Sequence, residues 1–268
     1  MPMELEKTMK LYYIPGFAMI GVNEMKRKIC ILNVLIFLFL VSSCGNPTNS
    51  AFEYEIEKNA EVAIVRYNNS NETNVIIPGK LDGKPVTILK SDAFYQNENA
   101  ESIFLPQSLT TIEGSPFYRC YSLKEIHIPA KVKKIDSNPF FRCSSLTQIT
   151  VATDNLYYTE LDGVLFNKDK TQLIAYPEGK TDRSYIVPLS VRKMDIDAFG
   201  YHPNLKEVTI LSNVEDFPEG NMFVFPNDIK LYVEAGSMAE RYAKSNDLNF
   251  ELISPIVQQS VDGSPTAP

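Results

Sequence analysis

Two cysteines, Cys120 and Cys143, and two histidines, His127 and His202, are the side chains of this sequence best suited to chemistry. Paired thiols could close a disulfide or supply part of a zinc site, and an imidazole could act as a general base or a metal ligand. The surrounding sequence supports little of this. Two cysteines with no second pair make half a metal site. A Ser–His–acid arrangement would have to use one of the two histidines, and neither stands in a recognisable motif. His127 lies between Ile126 and Ile128, where strand alternation turns it outward, and His202 stands in a turn beside Pro203. Carboxylates are plentiful, but nothing marks one pair as acid and base. Asp82-Gly83 and Asp162-Gly163 are turn dipeptides rather than phosphate loops. No catalytic residue, metal site or cofactor is therefore expected.

What the cysteines have is a position. Cys120 and Cys143 are 23 residues apart, and the same step relates Phe117 to Phe140, Leu123 to Leu146, Ile126 to Ile149 and Ile128 to Val151. Stepping back by 23 takes Phe117 to Phe94, Ile126 to Ile103 and Pro129 to Pro106. The unit reads F-x-x-C-x-S-L-x-x-I-x-I-P-x-x-V-x-x-I. A fixed period of 20–29 residues with an L-x-x-L-x-L core is the mark of a leucine-rich-repeat solenoid. One unit cannot bury its own apolar residues, whereas stacked units place each Phe, Leu and Ile on its counterpart. The cysteine slot holds Asn97 one unit earlier and His202 in a later one. A framework disulfide does not explain such a ladder position. Stacked core thiols are the expectation, with a bridge between Cys120 and Cys143 as the alternative in an oxidising compartment.

The repeat resumes after a gap. Pro188, Val191, Met194, Phe199, Leu205, Val208 and Ile210 match residues 59 positions earlier. Between them, residues 162–177 read strand, polar turn, strand: an inserted β-hairpin. Residues 52–67 form two alternating runs around a polar turn, a hairpin able to cap the first unit. Leu231 to Val233 supplies what reads as a last strand, and Ser237 precedes a short helix over 238–246. The expected fold is mainly β: a right-handed leucine-rich-repeat solenoid with one parallel sheet, an N-terminal β-hairpin cap, an inserted β-hairpin and a short C-terminal helix. It occupies residues 52–253, and residues 254–268 read as a loose tail.

The N-terminus does not read as part of that fold. Met25-Lys26-Arg27-Lys28 is a basic block, residues 29–41 are almost wholly apolar, and Ser42-Ser43-Cys44-Gly45 follow. This is the pattern of a secretory signal, and the apolar run falls short of the roughly 20 residues a spanning helix needs. Residues 1–43 are the expected signal region, with Met25 as the expected true start. Val41 to Cys44 resembles the bacterial lipobox, which implies lipidation of Cys44 and a linker over 44–51. The chain carries a net charge of −7, and removing residues 1–43 leaves 21 basic against 30 acidic residues, a net −9. With that charge and no basic stripe downstream, nucleic acid is not an expected partner.

The repeat unit, the inserted DGVLFNKDKTQLIAYP segment, the GKPV stretch before Phe94 and the terminal LYVEAGS together resemble the BspA-like leucine-rich-repeat surface lipoprotein family. The resemblance spans roughly residues 52–253. It implies a cell-surface protein, anchored in the outer membrane by lipid, that adheres to a host or bacterial surface protein or glycan and has no enzymatic activity. A periplasm-facing scaffold that binds an envelope partner is the alternative. The residue between the two inward positions of each strand points outward, which gives the row Ile76, Phe104, His127, Thr150, Ile186, Thr209 and Tyr232. Four of the seven are apolar or aromatic where solvent would favour polar groups, so this row is the expected binding face.

Overall fold

The computed structural model describes residues 51–68, 71–218, 225 and 228–254. The chain divides at residue 46 into two units, and every described residue belongs to the second. The signal region, Cys44 and residues 255–268 of the tail lie outside the described residues.

Strands β1 (Phe52–Ile56) and β2 (Val62–Tyr67) form the antiparallel hairpin expected at the start. Next come β3 (Asn74–Ile76), β4 (Lys80–Leu81) and β5 (Lys84–Leu89). Asp82 and Gly83 between β4 and β5 have φ of 49° and 73°. Two consecutive positive values are what a two-residue type I′ turn requires, and Asp-Gly supplies them at little cost. The regular coils then give β6 (Ser102–Phe104), β7 (Thr111–Ile112), β8 (Glu125–Ile128), β9 (Lys134–Ile135) and β10 (Gln148–Val151). One strand from each coil joins a parallel ladder, β3-β6-β8-β10, while β5 and the two-residue strands β7 and β9 form a second ladder, headed by the β1–β2 hairpin.

The core of these coils is a file of rings. Phe52 and Tyr67 meet at 5.0 Å, Tyr67 and Phe94 at 5.1 Å, Phe94 and Phe117 at 5.7 Å, and Phe117 and Phe140 at 5.4 Å. The hairpin thus ends the stack with its own two rings and keeps water off Phe94, which is 1% exposed. Beside the rings run Leu109, Leu123 and Leu146, each fully buried. Every rung covers the next, which is why a single unit has no stable core.

The insertion is larger and more central than its sequence suggests. Strands β11 (Tyr158–Leu161), β12 (Val164–Asn167) and β13 (Gln172–Ala175) form an antiparallel meander, of which β11 was not expected. The Asp162-Gly163 turn repeats the type I′ geometry with φ of 52° and 80°. Along β12, Leu165 packs into the core of the preceding coils, whereas Val164 and Phe166 pack into the core of the following ones. Along β13, Ile174 and Leu173 divide in the same way. Strands β12 and β13 make a wall buried on both sides, and it parts the solenoid core into two clusters.

Beyond it follow β14 (Ser184–Ile186), β15 (Lys193–Met194), β16 (Glu207–Ile210) and β17 (Lys230–Glu234). Helix α1 (Met238–Ser245) starts at its expected cap, Ser237, whose Oγ accepts the Glu240 N–H. Strand β18 (Phe250–Ile253) then returns to pair in parallel with β17, so β17 is not the last strand. The expected parallel sheet is therefore present as two blocks, β3-β6-β8-β10 and β14-β16-β17-β18. What parts them is Gly163, whose carbonyl accepts the Ile149 N–H at 3.0 Å. Gly163 is needed twice over: for its positive φ, and because a Cβ there would lie 3.3 Å from Gln148 Cα.

Truncating a middle rung of the ring file exposes the partners on both sides. Phe117→Ala is expected to cost about 3–5 kcal/mol, read as a lower denaturant midpoint in equilibrium unfolding.

Candidate functional site

Three places in this fold present functional groups: the outward face of the sheet, the seam where the coils resume after the insertion, and the turn edge next to the ring file.

On the sheet face, the expected row is real but interrupted. Ile76 pairs with Phe104, and His127 pairs with Thr150, each in parallel register. Ile103 pairs with Ile126, which sets Phe104 beside His127 and completes the first half-row. Ile186, Thr209 and Tyr232 form the second half-row, in register with one another. Its fourth member is Glu251 on β18, which the repeat pattern had not suggested. The seven residues are therefore not one continuous strip. His127 Nδ1 lies 2.9 Å from Thr150 Oγ1, and burial lowers its pKa against the pull of Asp154. Lys230 stands 5.0 Å from the centre of the Tyr232 ring and bridges to Glu251 at 2.7 Å. Ile186 is 65% exposed, the largest apolar exposure in either half-row. Leu161, on the meander that separates them, is also exposed.

The seam is where sequence reasoning saw least. In the regular coils, the residue before the cysteine slot donates its N–H to the next coil: Gln96 to the Tyr118 carbonyl at 3.0 Å and Arg119 to the Phe141 carbonyl at 3.1 Å. At Arg142 the next coil belongs to the insertion, and a side chain replaces the carbonyl. Glu178 Oε1 accepts the Arg142 N–H at 2.7 Å and, from the other side, the Tyr201 N–H at 3.1 Å. One carboxylate splices the coils on either side of the wall. It fits because Gly200 lacks a side chain, and a Cβ there would fall 2.1 Å from Glu178 Oε1. Burial raises the Glu178 pKa to about 7, opposed by the two backbone donors and by Arg142. His202 sits in the same region, 1% exposed and edge-on to Tyr176 at 4.9 Å. Neither of its ring nitrogens has a hydrogen-bond partner, and burial lowers its pKa to about 4. Such an imidazole stays neutral and packs as a ring.

The cysteine slot lies along the same line. Cys120 and Cys143 are free, fully buried thiols. Cys120 Sγ donates to the Phe94 carbonyl at 3.2 Å, and Cys143 Sγ to the Phe117 carbonyl at 3.1 Å. Each thiol ties its own coil to the preceding rung, and burial pushes the Cys143 pKa well up, away from thiolate reactivity. Among the described residues, no group of three or more His, Cys, Asp or Glu is placed to hold a metal ion. A hollow of about 320 Å³ lies over the start of α1. The helix end there is already satisfied by Glu240, which accepts the Gly236 N–H at 2.6 Å.

On the turn edge lies a second file of rings. Tyr95 and Tyr118 stack at 5.5 Å, and Tyr118 and Phe141 at 5.7 Å with planes 1° apart. Arg119 lies 5.0 Å from the Tyr118 ring and Arg142 lies 5.9 Å from the Phe141 ring. The signal was in the sequence, as F-Y-Q-N, F-Y-R-C and F-F-R-C at one step of 23 residues. It was missed because only the first aromatic of each pair serves the core.

Residues 63–182 match the BspA type leucine rich repeat region in six copies. The chain is similar to a leucine-rich repeat protein from Eubacterium ventriosum, at 18% identity over 77% of this chain and 72% of that one, with a TM-score of 0.41. It is also similar to the leucine rich repeat protein of T. pallidum, at 18% identity over 78% of this chain and all of that one, with a TM-score of 0.47. No curated protein matches it.

The seam yields a pH test. Glu178 has a folded pKa near 7 against 4.5 when free, so its contribution is complete below about 4.5 and is lost as pH rises through about 7. His202 works in the opposite sense: its neutral form is favoured in the fold, and stability falls as pH drops from 6.5 towards 4. Glu178→Gln keeps an oxygen acceptor and copies the protonated acid. Its stability should equal that of the wild type near pH 4 and exceed it by up to about 3 kcal/mol above pH 7.5, measured by urea unfolding across that range.

Proposed function

The chain is a BspA-type leucine-rich-repeat protein, and we propose that it is a non-enzymatic binding lipoprotein of the cell envelope, displayed at the cell surface. The observation that carries this reading is the outward sheet face, where Phe104, Ile186 and Tyr232 occupy positions that solvent alone would fill with polar groups. Aromatic and apolar anchors within a polar rim are the usual energetic centre of a recognition surface. Lys230, Glu251, His127 and Thr150 provide that rim. The wall formed by the insertion holds the two half-rows as separate patches, which suits a partner with two contact points, a folded protein or a branched glycan. The basic block, apolar run and Cys44 support lipid anchoring, with the repeats carried outward on the linker that follows.

Phe104→Ala and Tyr232→Ala should each weaken binding to immobilised host matrix proteins or surface glycans by roughly tenfold or more while leaving the unfolding midpoint near that of the wild type. Normal binding by both variants places the interface elsewhere. Protease treatment of intact cells tests the surface assignment. Degradation without lysis supports display. Cleavage only after lysis points instead to a periplasm-facing scaffold.

A further inference from the structure

We infer that the turn-edge file of Tyr95, Tyr118 and Phe141, with Arg119 and Arg142 beside it, is a binding site for an acidic sugar, a uronic or sialic acid residue. This site is separate from the sheet face and does not rest on the reading given for that face.

The first argument is charge without a partner. Among the described residues every ion pair uses a lysine, as in Lys124–Glu101 at 2.7 Å and Lys206–Asp228 at 2.7 Å. Neither Arg119 nor Arg142 makes an ion pair there, although Arg142 lies near enough to Glu178 to act on its carboxylate. They are held against aromatic rings, and Arg119 Nε is buried with no acceptor. A ligand oxygen placed there would give this buried donor the acceptor it lacks. The turn that carries these arginines repeats from coil to coil, with φ of 56° at Gln96 and 63° at both Arg119 and Arg142. The two arginines leave adjacent coils, since the Arg119 N–H donates to the Phe141 carbonyl. Two planar guanidiniums one coil apart suit a single carboxylate gripped from both sides.

The second argument concerns the body of the ligand. The rings are stacked on one another, so what they offer outward is a ribbed edge 5.5 and 5.7 Å in step, against which a pyranose can lie. Tyr95 is 45% exposed and Tyr121 37% exposed, and both phenols lie within electrostatic reach of Arg119, positioned for sugar hydroxyls. The file is finite: the next two coils place Pro177 and Gly200 in the ring position. A peptide is a poorer fit. The N–H groups of Gln96, Arg119 and Arg142 are already donated to neighbouring coils, so an extended chain finds no open backbone edge to pair with. A long polyanion is disfavoured by the net charge of −7.

The test uses the full-length chain in detergent, titrated calorimetrically with 3′-sialyllactose and trigalacturonic acid. Lactose and a neutral galactose trimer serve as uncharged counterparts, and hexaglutamate as an acidic peptide. Binding of at least one acidic sugar, with its neutral counterpart at least tenfold weaker, is expected. Arg119→Asn and Arg142→Asn, chosen because Asn tolerates positive φ, should each weaken it about tenfold, and the double variant should abolish it. Lys244→Ala, an exposed position on α1 that belongs to neither surface, should leave it unchanged. The inference is overturned if neither acidic sugar binds, if the neutral sugars bind as well, or if hexaglutamate binds as tightly. It also fails if the folded double variant keeps its affinity, or if Lys244→Ala removes binding. The comparison of charged with neutral sugars needs only the wild type, so it can overturn the inference even if the arginine variants do not fold.

Discussion

Each coil of this protein depends on the next to cover its aromatic rung. Phe94 is dry because Tyr67 lies on one side and Phe117 on the other, and Phe117 is dry because Phe140 follows. Burial of this kind is a nearest-neighbour property, and it forces the 23-residue step on everything else. Strand register, the cysteine slot and the outward rows follow from keeping one ring above another. It also makes the ends and any interruption dangerous, because an uncovered rung exposes a whole Phe. The hairpin that contributes Phe52 and Tyr67 answers the first problem, and helix α1 with β18 answers it at the other end, where Tyr242 stacks on Phe217 at 4.6 Å.

The insertion shows how a solenoid survives losing its period. The meander does not bulge from the surface. It enters the core and presents alternate faces of β12 to the coils before and after it. Strand alternation makes this possible, because one strand can serve two cores with opposite faces. The ring file restarts beyond the wall, with Tyr176 on Phe199 at 5.3 Å and Phe199 on Phe225 at 4.9 Å. The polar ladder cannot restart so simply, since the coil beside Arg142 lacks a carbonyl in the right place. Glu178 fills that gap with its side chain, at the cost of a buried carboxylate, and Gly200 leaves it room. The same wall divides the outward row of the sheet face into two half-rows in place of one strip.

Much of this could be read without coordinates. The period, the inward Phe, Leu and Ile positions, the first hairpin, the helix with its Ser237 cap and the Asp-Gly turns all rest on local chemistry or on repetition, and both are written along the chain. Strands β11 and β18 could not be read this way. Tyr158–Leu161 and Phe250–Ile253 carry no strong inward alternation, and they are strands because a partner strand already lies beside them. The outward direction of the candidate face was legible from alternation, but its interruption was not. Residues 162–163 reach β10 only through the fold of the meander. Glu178 was invisible for a related reason: in Pro177-Glu178-Gly179 it reads as an ordinary turn acid.

By itself the sequence determined the coil: what it buries, how long it is and which residues stack, because a repeated pattern states its own contacts at a fixed offset. The two cysteines followed from that rule, as rungs of a ladder tied to the Phe94 and Phe117 carbonyls. Only the tertiary structure decided what happens where the offset fails. The contacts of β12, Gly163 and Glu178 join residues at separations that no period announces. Their energies come from burial and from unsatisfied backbone groups that exist only once the coils on both sides are in place.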